Sequence, residues 1–264
     1  MLPAAMRFAK LHGLGNDFVL LDFRGQPGAS PPSPQRATEL CDRHRGIGAD
    51  GVLTLLDGDR FVIHNADGSV PEMCGNGARC AALWIATGGG ARPARARVTL
   101  QTDAGLRPCA VDAESPSFGQ VEVEMGQAEV GEERELAGGF RAVPVSTGNP
   151  HRVVFTEGDL RVLAARHGPA LCRAEDANIE FVSRLGPARY GAVVWERGAG
   201  LTQACGTGAC AVAAAAVSRG DVDRSAEVIV ELPGGALSIR RDPMTGQLLM
   251  RGPAQLVFTG DLPE

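Results

Sequence analysis

The sequence predicts an α/β fold of the α+β type, built as two pseudo-symmetric halves in which sheet surrounds a buried helix. Three observations predict it. Residues 73–82 read Met-Cys-Gly-Asn-Gly-Ala-Arg-Cys-Ala-Ala, and residues 204–214 read Ala-Cys-Gly-Thr-Gly-Ala-Cys-Ala-Val-Ala-Ala. Each stretch has a cysteine, a Gly-x-Gly and then an apolar run that is apolar nearly all round, most clearly over 209–217, and a helix of that kind is buried on every side. The flanks also correspond. Asn16 precedes Cys74 by 58 positions and Asn149 precedes Cys205 by 56, while Asn65 and Glu196 each stand nine residues before their cysteine. Three coincidences in register point to duplication.

Each element follows from local pattern. Residues 8–11 open as a strand, the glycine-rich turn 12–17 follows, and 18–21 is strand again. Four prolines with Gly and Ser make 25–34 a surface loop. Ala37, Leu40 and Cys41 lie at helical spacing and predict a short helix over 35–45. Residues 46–51 match G-x-G-x-x-G, but an apolar strand over 52–56 follows where a dinucleotide fold needs a helix. Residues 61–65 form a strand ended by Ala66-Asp67-Gly68-Ser69. The first cysteine helix runs over 75–86 and stops at Thr87-Gly88-Gly89-Gly90. Strands at 98–102 and 121–125 are separated by loops, and 144–150 is a second glycine turn leading into a strand over 151–155. Then come a helix over 160–167, strands over 179–182 and 192–196, the second cysteine helix over 206–218, and short strands over 228–232, 236–240 and 248–251.

Composition narrows the function. The 264 residues suit one large or two ordinary domains, and 44% apolar content supplies a core. A formal net charge of −5 without a basic run speaks against nucleic acid or an anionic membrane as partner. No apolar stretch approaches the roughly 20 residues of a membrane span. Arg7 and Lys10 make residues 1–10 too polar for a signal peptide, so a cytoplasmic protein is expected. The seven cysteines lack zinc-knuckle spacing, no metal site is expected, and Cys41, Cys109 and Cys172 read as small buried apolar residues.

Cys74 and Cys205 each stand where a helix N-terminus favours anions and therefore thiolate. Across a shared cleft, two such thiols could form a disulfide, bind a metal or exchange protons. Redox pairs usually lie in Cys-x-x-Cys rather than 131 residues apart, and no further metal ligand is spaced near either cysteine. Proton transfer fits best, one thiolate removing a proton from one face of a carbon while the other thiol protonates the opposite face. At an amino-acid α-carbon, enzymes lower such barriers by about 8–23 kcal/mol. A helix dipole gives about 0.3–2 kcal/mol, whereas each donor to a developing oxyanion gives about 2.7–4 kcal/mol. Backbone N–H groups at Gly75, Asn76, Gly206 and Thr207 are therefore expected to hold the α-carboxylate. No pyridoxal phosphate or other cofactor is expected: the chain's one lysine, Lys10, offers no Schiff-base candidate.

The chain resembles the diaminopimelate epimerase family over its whole length. The stretches that carry the resemblance are 12–18, 45–51, Asn65-Ala-Asp-Gly-Ser69, Glu72-Met-Cys-Gly-Asn-Gly77 with Arg79-Cys80, Gly148-Asn-Pro-His151, Asn178-Ile-Glu-Phe181, Trp195-Glu-Arg-Gly198 and Ala204-Cys-Gly-Thr-Gly208. The resemblance implies two domains, 1–114 with 252–264 and 115–251, each a mostly antiparallel sheet around a central helix. It implies cofactor-independent interconversion of LL- and meso-2,6-diaminopimelate, with Cys74 and Cys205 as acid/base thiols, in lysine and peptidoglycan-precursor synthesis. His151 and Glu196 resemble residues that assist thiol deprotonation. Asn16, Asn65, Asn149, Asn178, Glu196 and Arg197 resemble the substrate-binding set, and Gly75-Asn76 with Gly206-Thr207 the carboxylate cradle. Arg197 suits a distal carboxylate and amide carbonyls suit an ammonium. Asp17 and Asp50 read as structural, and a homodimer is compatible with the sequence.

The nearest rival is a proline or hydroxyproline racemase-type enzyme, which shares the two-thiol scheme. That family typically has His where this chain has Asn76, and its cyclic substrate needs no distal-carboxylate Arg. A member keeping the fold without the thiols is the other rival, and both cysteines are present.

Overall fold

The computed structural model describes residues 6–71 and 73–262. Residues 1–5, half of the N-terminal segment too polar for a signal peptide, lie outside the described residues, as do residues 263–264 and Glu72, the first residue of the Glu72–Gly77 stretch. The chain divides into two compact units, Met1–Val123 with Pro253–Glu264, and Glu124–Gly252.

The first unit begins with the hairpin β1 (Met6–Gly13) and β2 (Asn16–Asp22). Helix α1 (Pro34–Cys41) carries the chain to β3 (Gly51–Leu56), which pairs parallel to β2. β3 forms a hairpin with β4 (Arg60–Asn65), and α2 (Gly75–Ala86) leads to β5 (Ala94–Thr102), parallel to β4. β6 (Gly105–Ser115) and β7 (Phe118–Gly126) complete the meander, and β7 runs on into the second unit.

The second unit repeats this order. After the short strands β8 (Glu129–Val130) and β9 (Arg134–Glu135), β10 (Arg141–Ser146) and β11 (Pro150–Phe155) form a hairpin. Helix α3 (Leu160–Glu175) leads to β12 (Asn178–Gly186), parallel to β11. β12 pairs antiparallel with β13 (Arg189–Glu196), which the short β14 (Gly200–Leu201) also joins. Helix α4 (Gly206–Ser218) then leads to β15 (Val228–Leu232), parallel to β13, and β16 (Gly235–Arg241) and β17 (Leu248–Leu262) follow antiparallel. Beyond Gly252 β17 returns to the first unit and pairs with β1. The pairing order of one unit is thus the pairing order of the other, and the fold is α+β with two pseudo-symmetric, mostly antiparallel domains.

The cysteine helices sit inside their own sheets. α2 packs on β1, β5 and β6, and residues 75–84 are all buried; α4 packs on β10, β11, β15 and β16, and only Thr207 interrupts the buried run 206–216. Helices α1 and α3 cover the other faces, with Ala37, Leu40 and Cys41 in one core and Ala164, Leu171 and Cys172 in the other.

Five of the differences from the sequence reading have a plain physical reason. α1 stops at Cys41, not Arg45, because Asp42 leaves the helical region and its Oδ1 accepts from the N–H groups of His44 and Arg45. β6 occupies a span read as loop; its exposed alternate positions and Pro108 hide the strand pattern. Residues 144–146 belong to β10, Pro144 pairing with Arg152, so the turn is confined to 147–149. α3 continues eight residues past His167 and through Pro169, because Leu171 and Cys172 still face the core. β17 runs to Leu262 rather than Arg251, since β1 offers it an edge only the tertiary fold supplies.

Candidate active site

Cys74 and Cys205 are the N-cap residues of α2 and α4. Both have extended backbone, and each thiol sulfur accepts from a backbone N–H two residues into the helix, Gly77 to Cys74 Sγ and Gly208 to Cys205 Sγ, at 3.3 Å in both cases. Gly75-Asn76 and Gly206-Thr207 are therefore the first helical residues, whose N–H groups precede the first intrahelical bond. A Cβ on Gly208 would lie 2.9 Å from Glu180 Oε1 and 3.2 Å from Cys205 Sγ, so only glycine lets the three groups approach this closely.

Position at a helix terminus does not by itself make Cys205 a thiolate. Burial pushes its thiol well above the ordinary range, and the nearby carboxylates Glu196 and Glu180 push the same way; the contacts from Thr207 Oγ1 at 3.4 Å and from Gly208 N–H pull only partly back. Desolvation of a charge outweighs the dipole. Glu196, half-buried at the end of β13, is itself raised by burial, against hydrogen bonds from Thr202 and Cys205. Thr202 Oγ1 donates to Glu196 Oε1 at 2.5 Å. Burial thus raises both the Cys205 thiol and the Glu196 carboxyl that lies beside it.

The rest of the second unit's set lies on neighbouring strands. His151 and Asn178 face each other across the parallel β11–β12 pair. His151 is fully buried and both ring nitrogens are engaged, Nδ1 with Glu180 Oε1 at 2.6 Å and Nε2 with Asn149 Oδ1 at 3.0 Å. Asn149 Oδ1 also accepts from Thr147 Oγ1 at 3.3 Å. Asn178 Oδ1 accepts the backbone N–H of Arg197 at 2.8 Å. The guanidinium of Arg197, about half exposed, pairs with Asp176 at 3.0 Å rather than with Glu196.

In the first unit, Asn16 Oδ1 accepts from Asn76 Nδ2 at 3.0 Å while Asn16 Nδ2 donates to Asp50 Oδ2 at 2.9 Å. Asp50 and Asp17 both bind Arg43, and Asp17 also pairs with Lys10, so the aspartates read as structural anchor the turn that carries Asn16. Asn65 is exposed at the end of β4 and its Nδ2 donates to Ser69 Oγ at 2.9 Å. The amides thus differ: Asn149 and Asn178 have their oxygens engaged within the protein, whereas Asn65 has its nitrogen engaged.

Sequence reasoning missed Thr147, Thr202 and Glu180. Thr147 and Thr202 carry no signal of their own. Glu180 does: a carboxylate between Ile179 and Phe181 in a buried strand contradicts its surroundings and needs a partner.

Across known structures the same fold recurs. A predicted epimerase of Pseudomonas aeruginosa matches with a TM-score of 0.75 at 18% identity, covering 98% of this chain and all of that one. A hydroxyproline epimerase from Agrobacterium vitis, bound to trans-4-hydroxy-L-proline, matches with a TM-score of 0.74 at 16% identity, covering 98% of this chain and 93% of that one. At the sequence level the model of the diaminopimelate epimerase family matches residues 8–131 and 143–257. The diaminopimelate epimerase of Thermosynechococcus vestitus is 43% identical over 98% of this chain and all of its own length, and that of Gloeothece citriformis is 40% identical over 97% and 98%. Matches of this extent at 40% identity and above make the chain an isomerase. The chain belongs to the diaminopimelate epimerase family.

Proposed function

We propose that the protein interconverts LL- and meso-2,6-diaminopimelate, without a cofactor, by proton transfer between Cys74, the substrate α-carbon and Cys205. One thiolate takes the α-proton, its C–H electron pair passing to a carbanion stabilised by the α-carboxylate. The other thiol gives its own proton to the opposite face, so one cysteine ends protonated and the other as thiolate. Glu196 arms Cys205 by taking the thiol proton. Gly75-Asn76 and Gly206-Thr207 cradle the α-carboxylate. Asn16, Asn65, Asn149, Asn178 and Arg197 read the distal amino-acid end, the N–H groups and guanidinium suiting its carboxylate and Asn65 Oδ1 its ammonium. Each half of the chain supplies one thiol, and the enzyme serves lysine and peptidoglycan-precursor synthesis in the cytoplasm.

The observation that carries this reading is Cys205 at a helix N-cap beside Glu196, a carboxylate raised by burial, in a chain of this family. The test is turnover of LL-diaminopimelate in deuterated water. Solvent deuterium is expected at the inverted centre, and Cys74→Ala and Cys205→Ala are each expected to lose at least about 10³-fold in kcat while staying folded. Normal turnover in either variant, inversion without deuterium, or preference for L-proline would sink the reading.

A further inference from the structure

Glu180 is fully buried in β12, and beyond its charge near Cys205 no step of the proposed reaction and no substrate contact uses it. Its Oε1 meets His151 Nδ1 at 2.6 Å, while its Oε2 makes no hydrogen bond among the described residues. A carboxyl group buried with one oxygen unsatisfied is costly and calls for a purpose. The purpose follows from His151. Its Nε2 lies 3.0 Å from Asn149 Oδ1, an acceptor, so Nε2 must carry a hydrogen. A second proton must then lie in the Nδ1–Oε1 contact, on the ring or on the carboxyl, because two bare lone pairs would repel at 2.6 Å. Without an acid at position 180 a neutral imidazole could move its single hydrogen to Nδ1. Nε2 would then be an acceptor, and the amide of Asn149 would turn over to offer it Nδ2.

We propose that Glu180 is a positioning residue: through His151 it locks the Asn149 side chain with Oδ1 turned inward, so that Asn149 presents the two Nδ2 hydrogens to an anionic group of the substrate. This rests on the reading that Asn149 contacts substrate. It makes His151 an orienting group rather than a base for Cys205, since both its nitrogens are occupied and the sulfur of Cys205 is instead contacted by Thr207 and Gly208. The hydroxyl of Thr147 lies 3.3 Å from Asn149 Oδ1 and 3.5 Å from the Thr207 carbonyl oxygen, and donating to the nearer of the two supports the same amide orientation.

The test joins histidine-selective ¹⁵N NMR of the full chain to steady-state kinetics with LL-diaminopimelate. The wild type should show an imidazole proton protected from exchange, assigned to His151 by its loss in His151→Gln. Glu180→Leu, which keeps volume but no polar group, should lose that signal and raise KM by about tenfold or more while kcat stays within about threefold. A merely structural role would lower stability without this split. Asn149→Asp covers the case in which Glu180→Leu does not fold: its oxygen still accepts from Nε2, but an acceptor replaces the Nδ2 donors, and KM should rise by more than in Glu180→Leu. The proposal is overturned by a protected His151 proton that persists in Glu180→Leu, by unchanged KM in that variant, or by unchanged KM in Asn149→Asp. If the wild type turns over no diaminopimelate, the proposed substrate fails, and persistence of the His151 signal in Glu180→Leu still overturns the relay independently.

Discussion

Cysteine twice takes the helix N-cap position that Ser, Thr, Asp or Asn usually holds. Sulfur is a poor capping acceptor, so the substitution makes sense for reactivity rather than for helix stability. At Cys205 reactivity is set by neighbours more than by the helix, and Thr202 is the adjustable one. Its hydroxyl stabilises the charged form of Glu196, working against burial. Thr202→Val removes that bond and lets the Glu196 carboxyl rise further. The base must be ionised to accept the thiol proton, so the acid limb of kcat/KM should move to higher pH and neutral-pH activity should fall, with little change on the alkaline side. A pH profile with an unmoved acid limb would remove Glu196 as the base. Cys74 and Glu196 were legible as sequence patterns; Thr202 was not, because a threonine six residues after a glutamate means nothing until β13 and β14 bring them together.

At the level of elements, the two cysteine helices share a geometry but not a tolerance. A methyl group on Gly77 would meet Leu53 Cδ2 at 2.9 Å, the terminal carbon of an apolar side chain that no hydrogen bond fixes. On Gly208 it would meet Glu180 Oε1 at the same distance, but that carboxyl is held by His151. Gly77→Ala should therefore cost about 1 kcal/mol and Gly208→Ala about 3 kcal/mol in urea unfolding, since overpacking costs more where the neighbour cannot move. Equal losses would show that the Glu180 carboxyl is free to yield. Helix existence was readable in both cases from the run of Ala after Gly-x-Gly, and both helix spans match. The strands were harder. β2, β3, β11 and β13 have continuous apolar runs, whereas β6 places exposed residues at every second position and reads as loop.

For the whole molecule, acid stability should rest on the first unit's charged cluster. Burial opposes ionisation of Asp17, but its bonds from Arg43 and Lys10 win and hold the carboxyl at about 2, below its ordinary 3.8. A depressed carboxylate stabilises the fold above its unfolded value and loses that contribution as pH falls through the folded one. The shift corresponds to about 2 kcal/mol at neutral pH. Asp17→Asn should lose about that much at pH 7, and its gap from wild type in urea unfolding should narrow between about pH 4 and pH 2. A gap constant over that range would mean that Asp17 acts through packing alone.

The sequence by itself determined the repeated cysteine helix, its burial and the family, because a run that is apolar on all sides admits one environment and because Gly-x-Gly after cysteine is a local signature. It also placed Asn16, Asn65, Asn149 and Asn178 at turns and strand ends. Tertiary structure decided how those groups are polarised. Which end of each amide faces outward depends on partners 4 to 60 residues away, Ser69 for Asn65 and Asn76 for Asn16. The raised thiol of Cys205 was likewise decided in space, by burial first and then by Glu196 and Glu180 arriving from two different strands, since charge in a buried site follows what lies within a few ångströms and not along the chain.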